Sequence, residues 1–173
     1  MKKKITNKLR QRKRKIRNRL DKRSMPEGPG PMLNPGNIQY ELSDRNHGML
    51  YGGIGAMQKL VKRLELDDAI NNRLHLFKIH NPYHESDHVL NIAYNILCQG
   101  ECLEDIERLR NDEVYLDAVN ANRIPDPTTA GDFCRRFEAE HVEKLQDVIN
   151  EVRLKVWHQQ KSEFFDEAVL DAG

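Results

Sequence analysis

The sequence predicts a mainly α chain. Apolar residues recur at helical spacing through most of 54–160, and the apolar/polar alternation of strands is nearly absent before Ala168. Pro, Gly and Asn punctuate the pattern at helix-length intervals. The 173 residues hold one domain plus an arm, or one domain and the beginning of another. Hydrophobic residues make up 38% and charged residues 32% of the chain, enough apolar material for one modest core. Mean hydropathy is −0.77.

Residues 1–23 form a basic arm. Ile5, Leu9, Ile16 and Leu20 fall near one helical face, so the arm is expected to be a basic amphipathic helix when bound and loose when free, where like charges repel. The net charge of +1 conceals a segregation. The arm carries 13 Lys and Arg against Asp21, a local charge of +12; the remainder has 15 basic and 26 acidic residues, a local charge of −11. Such an arm can grip a polyanion or fold back onto the acidic body.

Residues 24–37 contain four Pro and three Gly and read as a linker. A helical domain is expected over 38–163. Ile54, Met57, Leu60, Val61 and Leu64 mark one helix; Leu66, Ile70 and Leu74 mark a second after a break near Glu65. The Asn81-Pro82 pair marks a loop. Ser86 or Asp87 is then expected to cap a helix through Leu97 that ends at Gly100. Leu103, Ile106 and Leu109 mark a short helix, and Asp112 caps the next, through Asn120. Ile124-Pro125-Asp126-Pro127 forces an extended turn, because a residue before Pro avoids the α region. Thr128 or Thr129 opens a helix to Phe137, and 139–160 form the longest helix, striped by Val142, Leu145, Val148, Ile149, Val152 and Val156. That stripe is expected to pack on the domain, with Trp157 partly exposed and self-association a consequence.

No apolar run approaches the roughly 20 residues of a membrane span, and the basic N-terminus lacks the apolar stretch of a secretory signal. Cys98, Cys102 and Cys134 form an odd set that suits a reducing compartment. A cytoplasmic, nucleoid-associated protein without membrane contact or small-molecule substrate is expected.

His84-Glu85-Ser86-Asp87-His88 matches H-E-x-x-H, in which two His one turn apart hold Zn²⁺ and the Glu polarises a metal-bound water. A small zinc-dependent hydrolase is the corresponding alternative function. Pro82, two residues before His84, places the first His at or before the helix start, so the favoured reading is a helix N-terminus with acids at the positive dipole end. The three Cys with His88 offer another metal set, but read first as buried small apolar residues. Gly52-Gly53-Ile54-Gly55 precedes a helix without a preceding strand and reads as a flexible lead-in, not a phosphate cradle.

The stretch 83–137, above all HVLNIAYNILCQGECLEDIERLRND and IPDPTTAGDFCRRF, resembles the N-terminal region of bacterial insertion-sequence transposases of the DDE type. The resemblance covers roughly 38–173. It implies a helical DNA-binding domain followed by an RNase-H-like α/β catalytic domain, in which three carboxylates hold two Mg²⁺ ions for strand cleavage and transfer. By the same resemblance Ala168-Val169-Leu170-Asp171 is the first core strand, within 164–173, and Asp171 is either the first catalytic carboxylate and metal ligand or an Asp just before it. The family usually shows Asp-x-Asp-Gly there; this chain has Asp171-Ala172-Gly173. The remaining carboxylates are missing, so the chain is expected to be a truncated transposase. It would bind element ends as DNA, hold no Mg²⁺ itself and be inactive in strand cleavage.

DNA contacts are expected from two places. The helix from Thr128, preceded by Asp112–Asn120, resembles a helix-turn-helix pair. Thr128 and Thr129 would meet phosphate, and Arg135 and Arg136 phosphate or guanine edges, unless both Arg pair with acids such as Glu138 and Glu140. In the arm, Arg12, Lys13, Arg14, Lys15, Arg17 and Arg19 would neutralise phosphates without sequence preference. The arm by itself equally suits a basic-armed RNA-binding module.

Overall fold

The computed structural model describes residues 2–22, 30, 33, 48–79 and 82–166. Among these, eight α-helices and two 3-10 helices form the fold, and no strand occurs. The mainly α expectation holds. The strand expected at Ala168–Leu170 lies outside the described residues, and just before it Ser162–Phe165 forms a 3-10 helix. No described helix is long and apolar enough to cross a membrane.

The arm is a helix, α1 (Lys2–Lys22). It is followed in the described body by α2 (Ile54–Arg63) and α3 (Leu66–Arg73), separated by a sharp break. Glu65 makes that break in the left-handed region, at φ 56°. Next comes α4 (Glu85–Leu97), which ends where Gln99 turns left-handed at φ 61°. The stop falls where Gly100 is expected to end the helix. The positive φ falls on Gln99, and a Cβ at Gly100 would lie 2.3 Å from the Asn95 Oδ1, so that side chain would have to shift.

A 3-10 turn (Leu103–Asp105) runs into α5 (Ile106–Arg110). Asp112 then caps α6 (Glu113–Ala118) as expected, its Oδ1 accepting the N–H groups of Val114 at 2.9 Å and Tyr115 at 3.2 Å. The next helix, α7 (Pro127–Cys134), is opened by Asp126 rather than by either Thr. Asp126 Oδ1 accepts the Thr129 N–H at 2.9 Å, and Pro127 occupies the first helical position, where a missing N–H costs nothing. Last is α8 (Ala139–Trp157).

The main core gathers Ile54 and Val61 from α2, Leu90 and Tyr94 from α4, Ile106 and Leu109 from α5, Leu116 from α6 and Ala130 from α7. Full burial of each large aliphatic contributes about 1.5–3 kcal/mol. A second cluster, Ile70, Leu74 and Val148, fastens α8 onto α3, with Leu145, Val89 and Phe137 against it. The helix-turn-helix expectation needs correction: α7 packs on α4 and the 3-10 turn, whereas α6 packs on α5 and α2. The eight residues 119–126 let each helix find its own support.

Candidate nucleic-acid interface

The arm supplies the densest positive charge. Arg10, Arg12, Lys13, Arg14, Lys15 and Arg17 all expose their side chains along α1, and Ile16 alone of the predicted stripe is described, half-buried. Arg19 lies on the same helix with its side chain outside the described set. Among the described residues, one hydrogen bond ties arm to body: the Arg12 guanidinium donates to Glu107 Oε1 at 3.1 Å. Between them opens a cleft of about 620 Å³, with Arg12 and Lys15 on one wall and Glu104, Asp105, Glu107 and Arg108 on the other. The backbone N–H groups of Glu101 and Cys102 hold the Asp105 carboxyl below the usual carboxylate range. The helical arm therefore rests against carboxylates that compete for its cations. Since both partners of the ion pair reach solvent, that contact is worth only about 0.2–1 kcal/mol.

The second expected contact region is placed less favourably. Thr129 commits its hydroxyl to Asp126 Oδ2 at 3.1 Å, so an acid already occupies the N-terminus of α7. Thr128 is exposed and borders a shallow cleft with Gly131 and Arg135. Arg135 pairs with Asp132 on its own helix, not with Glu138 or Glu140. Arg136 lies over the Phe77 ring, 5.2 Å from its centroid. Glu140 is taken by Lys144.

The H-E-x-x-H segment is an anchor built from hydrogen bonds. His84, not Ser86 or Asp87, occupies the capping position of α4, and Asp87 reaches back so that its Oδ2 accepts the His84 N–H at 2.8 Å. Its other oxygen accepts the N–H of Leu33 at 2.8 Å. The Glu85 Oε1 accepts the N–H groups of Leu76 and Phe77 at 2.9 and 3.0 Å. Ser86 and Asn71 exchange two bonds, Ser86 N–H to Asn71 Oδ1 and Asn71 Nδ2 to Ser86 Oγ, each 2.9 Å. His88 stacks on Phe133, with centroids 4.5 Å apart and planes at 12°, and Tyr83 meets it edge-on. Burial pushes the His88 imidazole down to about 4 against the opposing pull of Glu85.

These placements do not fit a zinc hydrolase. The Glu85 carboxylate is 1% exposed and its Oε1 is held by two backbone N–H groups, so it is turned into the fold and not towards a metal-bound water. The described residues contain no cluster of three or more His, Cys, Asp or Glu able to hold a metal ion. Cys98 is buried, as expected of a small apolar residue, and burial pushes its thiol up. Cys102 and Cys134 are exposed, contrary to that expectation. Cys102 instead places its Sγ 3.4 Å from Asp105 Oδ2. Asp171, the residue implied as metal ligand, lies outside the described residues.

Sequence reasoning missed the acidic wall formed by Glu104, Asp105 and Glu107. The cue was present in CLEDIERL, where three acids share a short turn in a body opposite in charge to the arm of residues 1–23. No family model, curated protein or solved structure matches this chain.

Proposed function

We propose that this chain is the DNA-end-binding portion of an insertion-sequence transposase, with α1 gripping the phosphate backbone and the helical body supplying any sequence preference. The observation that carries the reading is the arm. One 21-residue helix presents a row of exposed cations on a chain whose remaining residues are net acidic. An extended cationic helix follows a polyanion at low cost, because each neutralised phosphate releases condensed counterions. The resemblance of residues 83–137 to DDE transposases supplies the choice of DNA and of element ends. In the body, Thr128 on α7 and Arg135 at its C-terminal end are exposed and open to DNA, while Arg136, also exposed, lies over the Phe77 ring.

The test is fluorescence anisotropy with a duplex carrying the terminal repeats that flank the chain's own gene, a scrambled duplex and a single-stranded RNA, across a salt series. Preference for the repeat that persists as salt rises is expected. Equal binding to both duplexes that vanishes with salt would reduce the protein to its arm, and preference for the RNA would replace the reading.

A further inference from the structure

The apolar stripe of α8 is wider than the helix that covers it. Leu145, Val148 and Val152 are spent on α3 and its surroundings. Val142, Ile149 and Trp157 are 46%, 41% and 41% exposed, and Val156 is half-buried. Val142, Ile149 and Val156 recur every seven residues, which lines them along one side of the helix, the spacing of a helix–helix seam.

Charge on the same helix is polarised. Its first half holds Glu140, Glu143 and Asp147 against Lys144; its second half holds Arg153 and Lys155 against Glu151. Lys144 pairs with Glu140, Glu151 with Arg73, and Lys155 with Glu65. Glu143 and Arg153 are exposed, and neither side chain has a hydrogen bond or ion pair among the described residues.

We propose that this face is covered by α8 of a second copy of this chain, antiparallel and crossing at Ile149. In that register Val142 lies opposite Val156 of the partner subunit. Glu143 falls two residues, about 3 Å at the helical rise, from the level of Arg153 of the partner subunit. A parallel pair would instead set Glu143 level with Glu143 of the partner subunit and Arg153 level with Arg153 of the partner subunit across the two-fold axis, and the attraction between opposite charges would be lost. The charge gradient thus selects one orientation and one partner, and the two-fold arrangement closes without leaving a free end.

Sedimentation equilibrium of the whole chain, free of nucleic acid, tests this. Twice the 20.2 kDa chain mass is expected. Ile149→Glu, at a half-exposed position the fold tolerates, should weaken the dimer about tenfold or more. Glu143→Arg and Arg153→Glu should each weaken it, and the double swap should restore it. Far-UV circular dichroism confirms that each variant keeps its helices. A monomer at every concentration up to about 100 µM would overturn the proposal. So would a dimer indifferent to Ile149→Glu, or one that the double swap fails to restore.

Discussion

His88 and Phe133 stack face to face, 4.5 Å between centroids, and so join the start of α4 to the end of α7. The stack has a pH consequence. The His88 imidazole is pushed down to about 4 by burial, from an ordinary value of 6.5. The unfolded chain therefore binds a proton that the folded chain refuses between those values. Stability is fully present above pH 6.5, falls as pH drops towards 4, and loses nothing further to this group below that. The total is on the order of 3 kcal/mol. Asp67 opposes it, because burial raises its carboxyl and it destabilises the fold as pH rises. Comparing chemical unfolding of the wild type with His88→Phe isolates the imidazole: the variant should show a flatter profile between pH 4 and 6.5.

Asp87 is buried and accepts backbone N–H groups from both His84 and Leu33. Asp87→Ala strands both donors and should cost about 2–4 kcal/mol by urea unfolding, since each unsatisfied buried donor costs about 1–3 kcal/mol. Asp87→Asn, which keeps one acceptor, should cost less. Equal costs would mean that these two bonds do not anchor α4.

The H-E-x-x-H match predicts tight zinc; the placement of Glu85 and His88 predicts none. Equimolar Zn²⁺ should leave the melting temperature unchanged, and a chelator should too. One zinc equivalent retained through dialysis would show the site can open.

Glu107 draws Arg12 towards the body and so competes with phosphate. Glu107→Gln should tighten binding to non-specific DNA by about twofold to fivefold at low salt, in line with an ion pair worth about 0.2–1 kcal/mol. Deleting 1–23 should flatten the salt slope, by about 0.9 for each phosphate the arm no longer neutralises. Unchanged affinity in Glu107→Gln would mean that the arm leaves the body freely.

Arg135 and Arg136 should separate. Arg136→Ala removes the guanidinium from the Phe77 ring and should destabilise the fold by about 0.5–1 kcal/mol. Arg135→Ala, whose pair with Asp132 is solvent-exposed, should leave stability unchanged and lower DNA affinity. If the double variant binds DNA like the wild type, α7 is not a contact helix.

Local pattern alone determined the helical class, the break near Glu65, the cap at Asp112 and the stop at Gly100. These depend on periodicity, side-chain capping and backbone sterics within a few residues. The charge segregation was equally legible, because net charge needs no coordinates. Two readings of 84–88 were also open in the sequence, and local position favoured the helix start over the metal site. Only the tertiary structure decided what those residues hold. The partners of Glu85, Asp87 and His88 are Leu76 and Phe77, Leu33, and Phe133, as distant as 54 positions along the chain. A carboxylate's role follows from which donors packing brings to it, and that is a long-range property. The same reason explains Arg135 and Arg136, adjacent in sequence yet assigned to a carboxylate and to an aromatic ring. It also explains α8, whose stripe was visible but whose division into a covered and an exposed half depended on where α3 lies.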